Sequence, residues 1–335
     1  MSQLGQAPPP AVEAVPAGRA VRGRRRSARA RADNRAGLAL ITPTVVIVAA
    51  VVVLPILWTL SLAFQKVTLL NLRQTELVGD YTVENFVDVL TAPGFADALV
   101  TTLVYSVGGT ASAIALGLVA ALALRAPFRG RGVVRASMLL PYVAPVVAAT
   151  FVWSTMLSPQ FGIVNHWGTE YLGWDEPIAF LSSADGEVSF FGATFTVPTA
   201  LLTVIAFEAW RSFPFAFLFL TARLQAVPGT LEEAARVDGA TPTQRFRYIV
   251  WPQLLPTVAV LSVLRFIWTF NNFDDIYLLT GGGAGTEVVS VRVFNYLTAS
   301  ADIGAAAAQA LVLAVILALL VGVYLKLFGR QEEQA

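Results

Sequence analysis

Glu208 and Arg211 lie within one long apolar run of this chain, and Arg265 lies within the next. A charge in hydrocarbon is costly, so such groups face a bundle interior or a wet cavity and take partners there. Glu208 and Arg211 are three residues apart and share one helical face. Arg265 falls at a comparable depth when both runs are counted inward at about 1.5 Å per residue. Two chemistries follow from these residue types. One is an ion pair, Glu208 with Arg265 or with Arg211, that holds helices together; the other is direct contact of the charges with a polar cargo. The run around Arg265 also carries Trp268, Asn271, Asn272, Asp274 and Asp275. Amides and carboxylates hydrogen-bond hydroxyl groups, and an aromatic face packs on the C–H groups of a ring. The mixture suits a sugar path, with Trp268, Asn271 and Asn272 weighted above aspartates near a helix end, where water can hold them.

Bond-breaking chemistry finds no footing. The absence of cysteine excludes disulfides, thiolate metal sites and a cysteine nucleophile, and a single His166 excludes a histidine cluster. No nucleophile and base pair is evident, so no catalytic, cofactor-binding or metal-binding residue is expected. A P-loop needs lysine after glycine, whereas Lys66 and Lys326 follow Gln65 and Leu325. The run Gly281-Gly282-Gly283-Ala284-Gly285-Thr286 lacks that lysine and reads as a flexible external turn. His166 and Trp167 read as residues of an outer loop, and Phe213, Phe215, Phe217 and Phe219 as lipid or helix contacts.

The elements that position these residues follow from composition. The 335 residues are 56% hydrophobic and 13% charged, where soluble domains carry about a quarter charged. An all-α polytopic membrane protein results. A helix needs about 20 apolar residues to cross the hydrocarbon core, and six stretches qualify, near 40–64, 98–124, 134–157, 198–222, 257–279 and 305–328. With the amino terminus inside, 18 basic residues fall on the cytoplasmic side and three, Lys66, Arg73 and Arg292, on the other. That asymmetry puts both termini in the cytoplasm. Residues 1–36 hold arginine, proline and alanine with few large apolar side chains, and read as a disordered tail; an organelle-targeting peptide is the alternative. The chain divides into that tail, a first span with its outer loop at 37–97, a membrane domain at 98–330, and a short tail at 331–335.

Between the fourth and fifth spans, 230–256 read TLEEAARVDGATPTQRFRYIVWPQLLP. Thr230 with Glu233, and Thr241 with Gln244, have capping-box spacing. Gly239 can end the first helix in the left-handed conformation, and Pro242 suits a first helical position. The segment reads as a cytoplasmic helix–turn–helix. Small Ala234 and Ala235 beside Glu232, Glu233 and Asp238 suit docking onto a partner's basic residues. A helix resting on headgroups would instead carry a basic polar face.

The string Glu233-Ala234-Ala235, Gly239, Ile249 and Trp251-Pro252 resembles the EAA loop of membrane subunits from bacterial ATP-binding-cassette importers, with Trp251 where that family usually has leucine. Trp210-Arg211, Pro214-Phe215, Leu224-Gln225, Val227-Pro228 and IYLLTGGG at 276–283 look like its carbohydrate-uptake branch. The resemblance spans roughly 38–330. It implies the transmembrane architecture of a type I importer in a bacterial inner membrane. Glu232, Glu233, Ala234, Ala235, Asp238 and Gly239 would form a coupling helix seated in an ATPase subunit, with Glu233 as its ionic contact. The implied partners are a second homologous permease, a dimer of ATPase subunits carrying ATP and Mg, an external solute-binding lipoprotein, a sugar or polyol, and membrane lipid. Nucleic acid is not among them. An ion-coupled transporter would show internal repeats and several intramembrane carboxylates, and neither is evident.

Overall fold

The computed structural model describes residues 28–72, 79–190 and 193–328. The chain divides into two compact units between Leu57 and Trp58. In the first, α1 (Ala28–Val48) passes through a π-helical turn at Ala49–Val53 into α2 (Leu54–Ala63), which continues into the second unit. Helix α1 thus starts inside the stretch read as a tail, while 1–27 and 329–335 lie outside the described residues.

The second unit contains α3 (Glu84–Thr91), α4 (Phe95–Ala123), α5 (Arg131–Met138), α6 (Leu140–Val143), α7 (Val146–Met156) and α8 (Ile163–Tyr171). A hairpin of β1 (Gly186–Phe190) and β2 (Ala193–Val197) follows, antiparallel with Val188 opposite Phe195. Then come α9 (Thr199–Ala226), α10 (Gly229–Val237), α11 (Pro242–Arg245), α12 (Trp251–Phe270), α13 (Asp274–Thr280), α14 (Val289–Thr298) and α15 (Ile303–Phe328).

Among the described residues, five helices are long and apolar enough to cross a membrane: Gly37–Ala63, Phe95–Ala123, Thr199–Ala226, Pro242–Phe270 and Ile303–Leu327. The remaining expected span, the third at 134–157, is broken. Its halves, Arg131–Val143 and Val146–Met156, meet at 97°. Pro145 explains the break, because the residue before a proline is driven out of the helical region, and Ala144 is extended at ψ 137°. The fifth span also departs from expectation. It stops at Phe270, and at its other end the helix runs on from Pro242 through a π-helical turn at Phe246–Val250. The second helix of the 230–256 segment is therefore the start of the span, not a separate piece. Both π-helical turns stand immediately before an X-Pro pair, Leu54-Pro55 and Trp251-Pro252. A wider turn there absorbs the N–H and the space that proline takes from an α-helical ladder.

Helices α4 and α9 form the centre of the second unit. Small residues on α4 allow the approach: a Cβ on Gly117 would lie 2.7 Å from Ala216 Cβ and 2.8 Å from the Phe217 nitrogen. Around the end shared with α10, Leu220, Leu254 and Leu261 pack with Phe217. Towards the other end, Tyr105, Val204, Phe207 and Ile276 form a second apolar cluster. Helix α12 lies against both α4 and α9, which brings residues near its end to the middle of α9.

After α7, one side chain ties the start of the following connection to Ile178. Buried Asn165 donates to the carbonyls of Leu157 (3.1 Å), Ser158 (3.3 Å) and Ile178 (3.0 Å), and accepts from the Ile178 N–H at 2.6 Å. His166 and Trp167 are exposed on α8. The glycine run at 281–286 forms a turn, as expected. Gly281, Gly282 and Gly285 supply positive φ, so the chain folds back until buried Thr286 sits with its hydroxyl 2.6 Å from that of Thr280.

Candidate functional site

Glu208 lies near the middle of α9 and is fully buried. It can be, because four side chains satisfy its carboxylate. The Arg265 guanidinium of α12 pairs with Oε1, and the hydroxyls of Ser212 and Thr269 donate to the same oxygen at 3.1 and 3.0 Å. Asn272 reaches Oε2 at 3.5 Å. Ser212 is four residues beyond Glu208, and Thr269 four beyond Arg265, so each helix turns an acid or base and a hydroxyl to the same side.

Arg211 continues the network. It is 3.1 Å from Asp275 Oδ1 and 3.8 Å from Glu208 Oε2. Asp275 is also fully buried and accepts from Asn272 Nδ2 at 2.9 Å. Two guanidiniums thus face two carboxylates, with neutral groups filling the remaining positions. Burial of charge is tolerated where it is paired and hydrogen-bonded in this way. Gly109 closes the top: a Cβ there would lie 2.9 Å from Glu208 Cγ and 3.3 Å from Thr269 Cγ2.

The structure brings together Glu208, Arg211, Arg265 and Asn272 from the sequence-derived set, and separates the others. Both ion pairs weighed from spacing are present, the Arg265 one being the closer. Asn271, Asn272 and Asp274 are not carried within the fifth span, since α12 ends at Phe270. Asn271 is exposed and bonds back to the Ile267 carbonyl at 2.9 Å. Asp274 is exposed at the start of α13, while the neighbouring Asp275, discounted as solvated, is the buried partner of Arg211. Trp268 is 46% exposed, with the Arg265 guanidinium 5.8 Å from its ring centre and Phe215 edge-on at 5.1 Å. Sequence reasoning missed Ser212 and Thr269 and gave Asp275 too little weight. The four-residue spacings to Glu208 and Arg265 could have pointed to the first two.

A second site is α10. No residue of it is buried. Its start differs from the expected capping box: Pro228 is the residue before the helix, Thr230 lies inside it, and no side chain caps it. A cap must come from the residue preceding the first helical one, and here that residue is a proline. The end matches expectation. Gly239 has φ +81°, Ala240 N–H donates to the Ala235 carbonyl at 2.9 Å and Gly239 N–H to that of Arg236 at 3.1 Å, which is the Schellman pattern. The second capping box forms in full between Thr241 and Gln244, with Pro242 in the first turn. Glu233, Ala234, Asp238 and Gly239 are exposed, whereas Glu232 and Ala235 turn towards the body of the protein. Glu232 pairs with Arg125, just past the end of α4.

A profile described as the binding-protein-dependent transport system inner membrane component matches residues 113–331. The chain belongs to that family. This inner membrane component is 33% identical over 289 residues to the inner membrane ABC transporter permease protein YcjO of Escherichia coli, covering 86% of this chain and 92% of the relative. It is 32% identical over 296 residues to the trehalose/maltose transport system permease protein MalF of Thermococcus litoralis, covering 88% and 94%. Its fold is similar to a chain in the crystal structure of a bacterial ABC transporter involved in the import of the acidic polysaccharide alginate. That match has a TM-score of 0.75 at 22% identity, over 90% of this chain and 98% of that one. The inner membrane component is a multi-pass transport subunit of all-α architecture with no ATPase site of its own, in keeping with its two lysines and their neighbours.

Proposed function

We propose that this chain is a permease subunit of an ATP-driven importer, lining with a second permease the path of a sugar or related polyol handed over by an external solute-binding protein. The observation that carries the reading is α10: a short helix with no buried residue and an exposed acidic face stands between two spans, and a defined turn or cap joins it to each. It leaves α9 through Val227-Pro228 and enters α12 through the Gly239 turn and the Thr241 cap. A push on such a helix reaches two spans through the backbone. Exposed Glu233, Ala234, Asp238 and Gly239 form the face offered to an ATPase subunit, which holds ATP and Mg, with Glu233 as the ionic contact.

The buried charges serve the frame, and Trp268 and Asn271 serve the path. Exposed aromatic and amide groups can meet ring C–H groups and hydroxyls, whereas Glu208 and Asp275 have no exposed surface to offer. A sugar agrees with the trehalose/maltose naming of the MalF relative. The test is reconstitution of the permease pair, ATPase dimer and binding protein in proteoliposomes. ATP-dependent accumulation of trehalose or maltose is expected, and accumulation without ATP or without the binding protein would refute the reading.

A further inference from the structure

Helix α10 is joined to the rest of the protein at its two ends by backbone and at one point on its flank by side chains. Among the described residues, Arg125 with Glu232 is the one side-chain hydrogen bond or ion pair between α10 and any other element. Glu232 is in the first turn of α10, where a carboxylate also meets the positive end of the helix dipole. Arg125 is the residue after Leu124, the end of α4, and is itself braced: Arg135 of α5 donates to the Leu124 carbonyl at 3.2 Å. The side chains are 35% and 17% exposed, so the pair is largely shielded from water.

The far end of this tie matters more than the pair. Helix α4 lies against α9 so closely that a Cβ on Gly117 would lie 2.7 Å from Ala216 Cβ and one on Gly109 2.9 Å from Glu208 Cγ. It also lies against α12. A displacement of α10 passed to Arg125 therefore enters the helix in contact with both spans that α10 already moves through the backbone.

We propose that Arg125 is a positioning residue of the transport cycle: through Glu232 it fixes the pitch of α10 and makes α4 move with it. The proposal rests on the reading of α10 as the coupling helix. Under it, Glu232 is the inward anchor of this helix and Glu233 its outward contact, so the two adjacent acids have separate tasks.

The test uses the complete importer in proteoliposomes, with trehalose carried per ATP hydrolysed as the readout. Arg125→Glu and Glu232→Arg should each lower that ratio about fivefold, the scale of a partly shielded ion pair, while ATPase subunits still co-purify. The double exchange should restore about half of the ratio or more. An unchanged ratio in the single variants, or a double variant no better than they are, overturns the proposal. A second measurement is independent of the sugar. The chain has no cysteine, so Arg125→Cys with Glu232→Cys accepts a bismaleimide cross-link at one place. Equal yields are expected in nucleotide-free and ATP–vanadate-trapped complexes, and a cross-link confined to one state overturns the proposal. Gly239→Pro separates the two levels. If it leaves uptake intact, α10 is not the coupling helix; if it stops uptake while the Arg125 variants behave as the parent, only the role of Arg125 falls.

Discussion

Gly109 of α4 and Glu208 of α9 face each other at a separation where a single added carbon would sit 2.9 Å from Glu208 Cγ. The glycine seals the carboxylate against α4 and leaves its oxygens to Arg265, Ser212, Thr269 and Asn272. Gly109→Val is expected to push the two helices apart and to destabilise the subunit by about 1–3 kcal/mol, the range for overfilled cores. Thermal unfolding in detergent checks this; an unshifted midpoint would show that the approach is looser than described.

Removing the acid should cost more than crowding it. Glu208→Ala leaves Arg265 buried at 5% exposure with Thr269 as its remaining hydrogen-bond partner. Breaking one side of a buried pair typically costs about 3–5 kcal/mol. Glu208→Gln keeps an acceptor and should lose less. The order Gln above Ala in thermal stability is the outcome to look for, and the reverse order would deny the pair its structural role.

The two threonines of the 230–256 segment make a matched comparison. Thr241→Ala removes a formed cap and should destabilise the segment by about 1 kcal/mol. Thr230→Ala removes nothing that caps, because Pro228 precedes the helix. Hydrogen exchange of the α11 amides, faster in the first variant and unchanged in the second, is the expected contrast.

Gly239→Pro sets a φ near −65° where the chain has +81°, and Glu233→Lys reverses an exposed charge. Both should abolish ATP-dependent uptake with normal amounts of subunit in the membrane. Immunoblots of membranes alongside transport assays check both halves of the statement.

Trp268→Ala should lower trehalose uptake about fivefold, the scale of one aromatic contact, with subunit stability and basal ATP hydrolysis preserved. Uptake equal to the parent would remove Trp268 from the path.

The helices themselves were legible in the sequence, since apolar runs of span length have few alternatives in lipid. Their ends were not. A window over 257–279 averages across the break at Asn271 and Asn272 and the restart at Asp274, and a window over 134–157 averages across Pro145. The Gly239 turn was legible because one residue type fits it. The Thr230 box was misread because its spacing is right but the helix, which follows Pro228, starts two residues too early for it. The Glu208 and Arg265 pair was accessible from matched depth in adjacent runs. Asp275 was not, because its proximity to a helix end suggested water, and only the path of α9 shows that Arg211 covers it.

Two positive and two negative groups in the buried network sum to no net charge when all four are ionised. Membrane voltage acts on a moving charge with about 2.3 kcal/mol per elementary charge per 100 mV, so shifting this cluster as a body through the electric field requires no electrical work. Moving together, Glu208, Arg211, Arg265 and Asp275 thus add no gating charge to the tilting of their helices, and collapse of the potential by an ionophore should not change the rate of that step on their account.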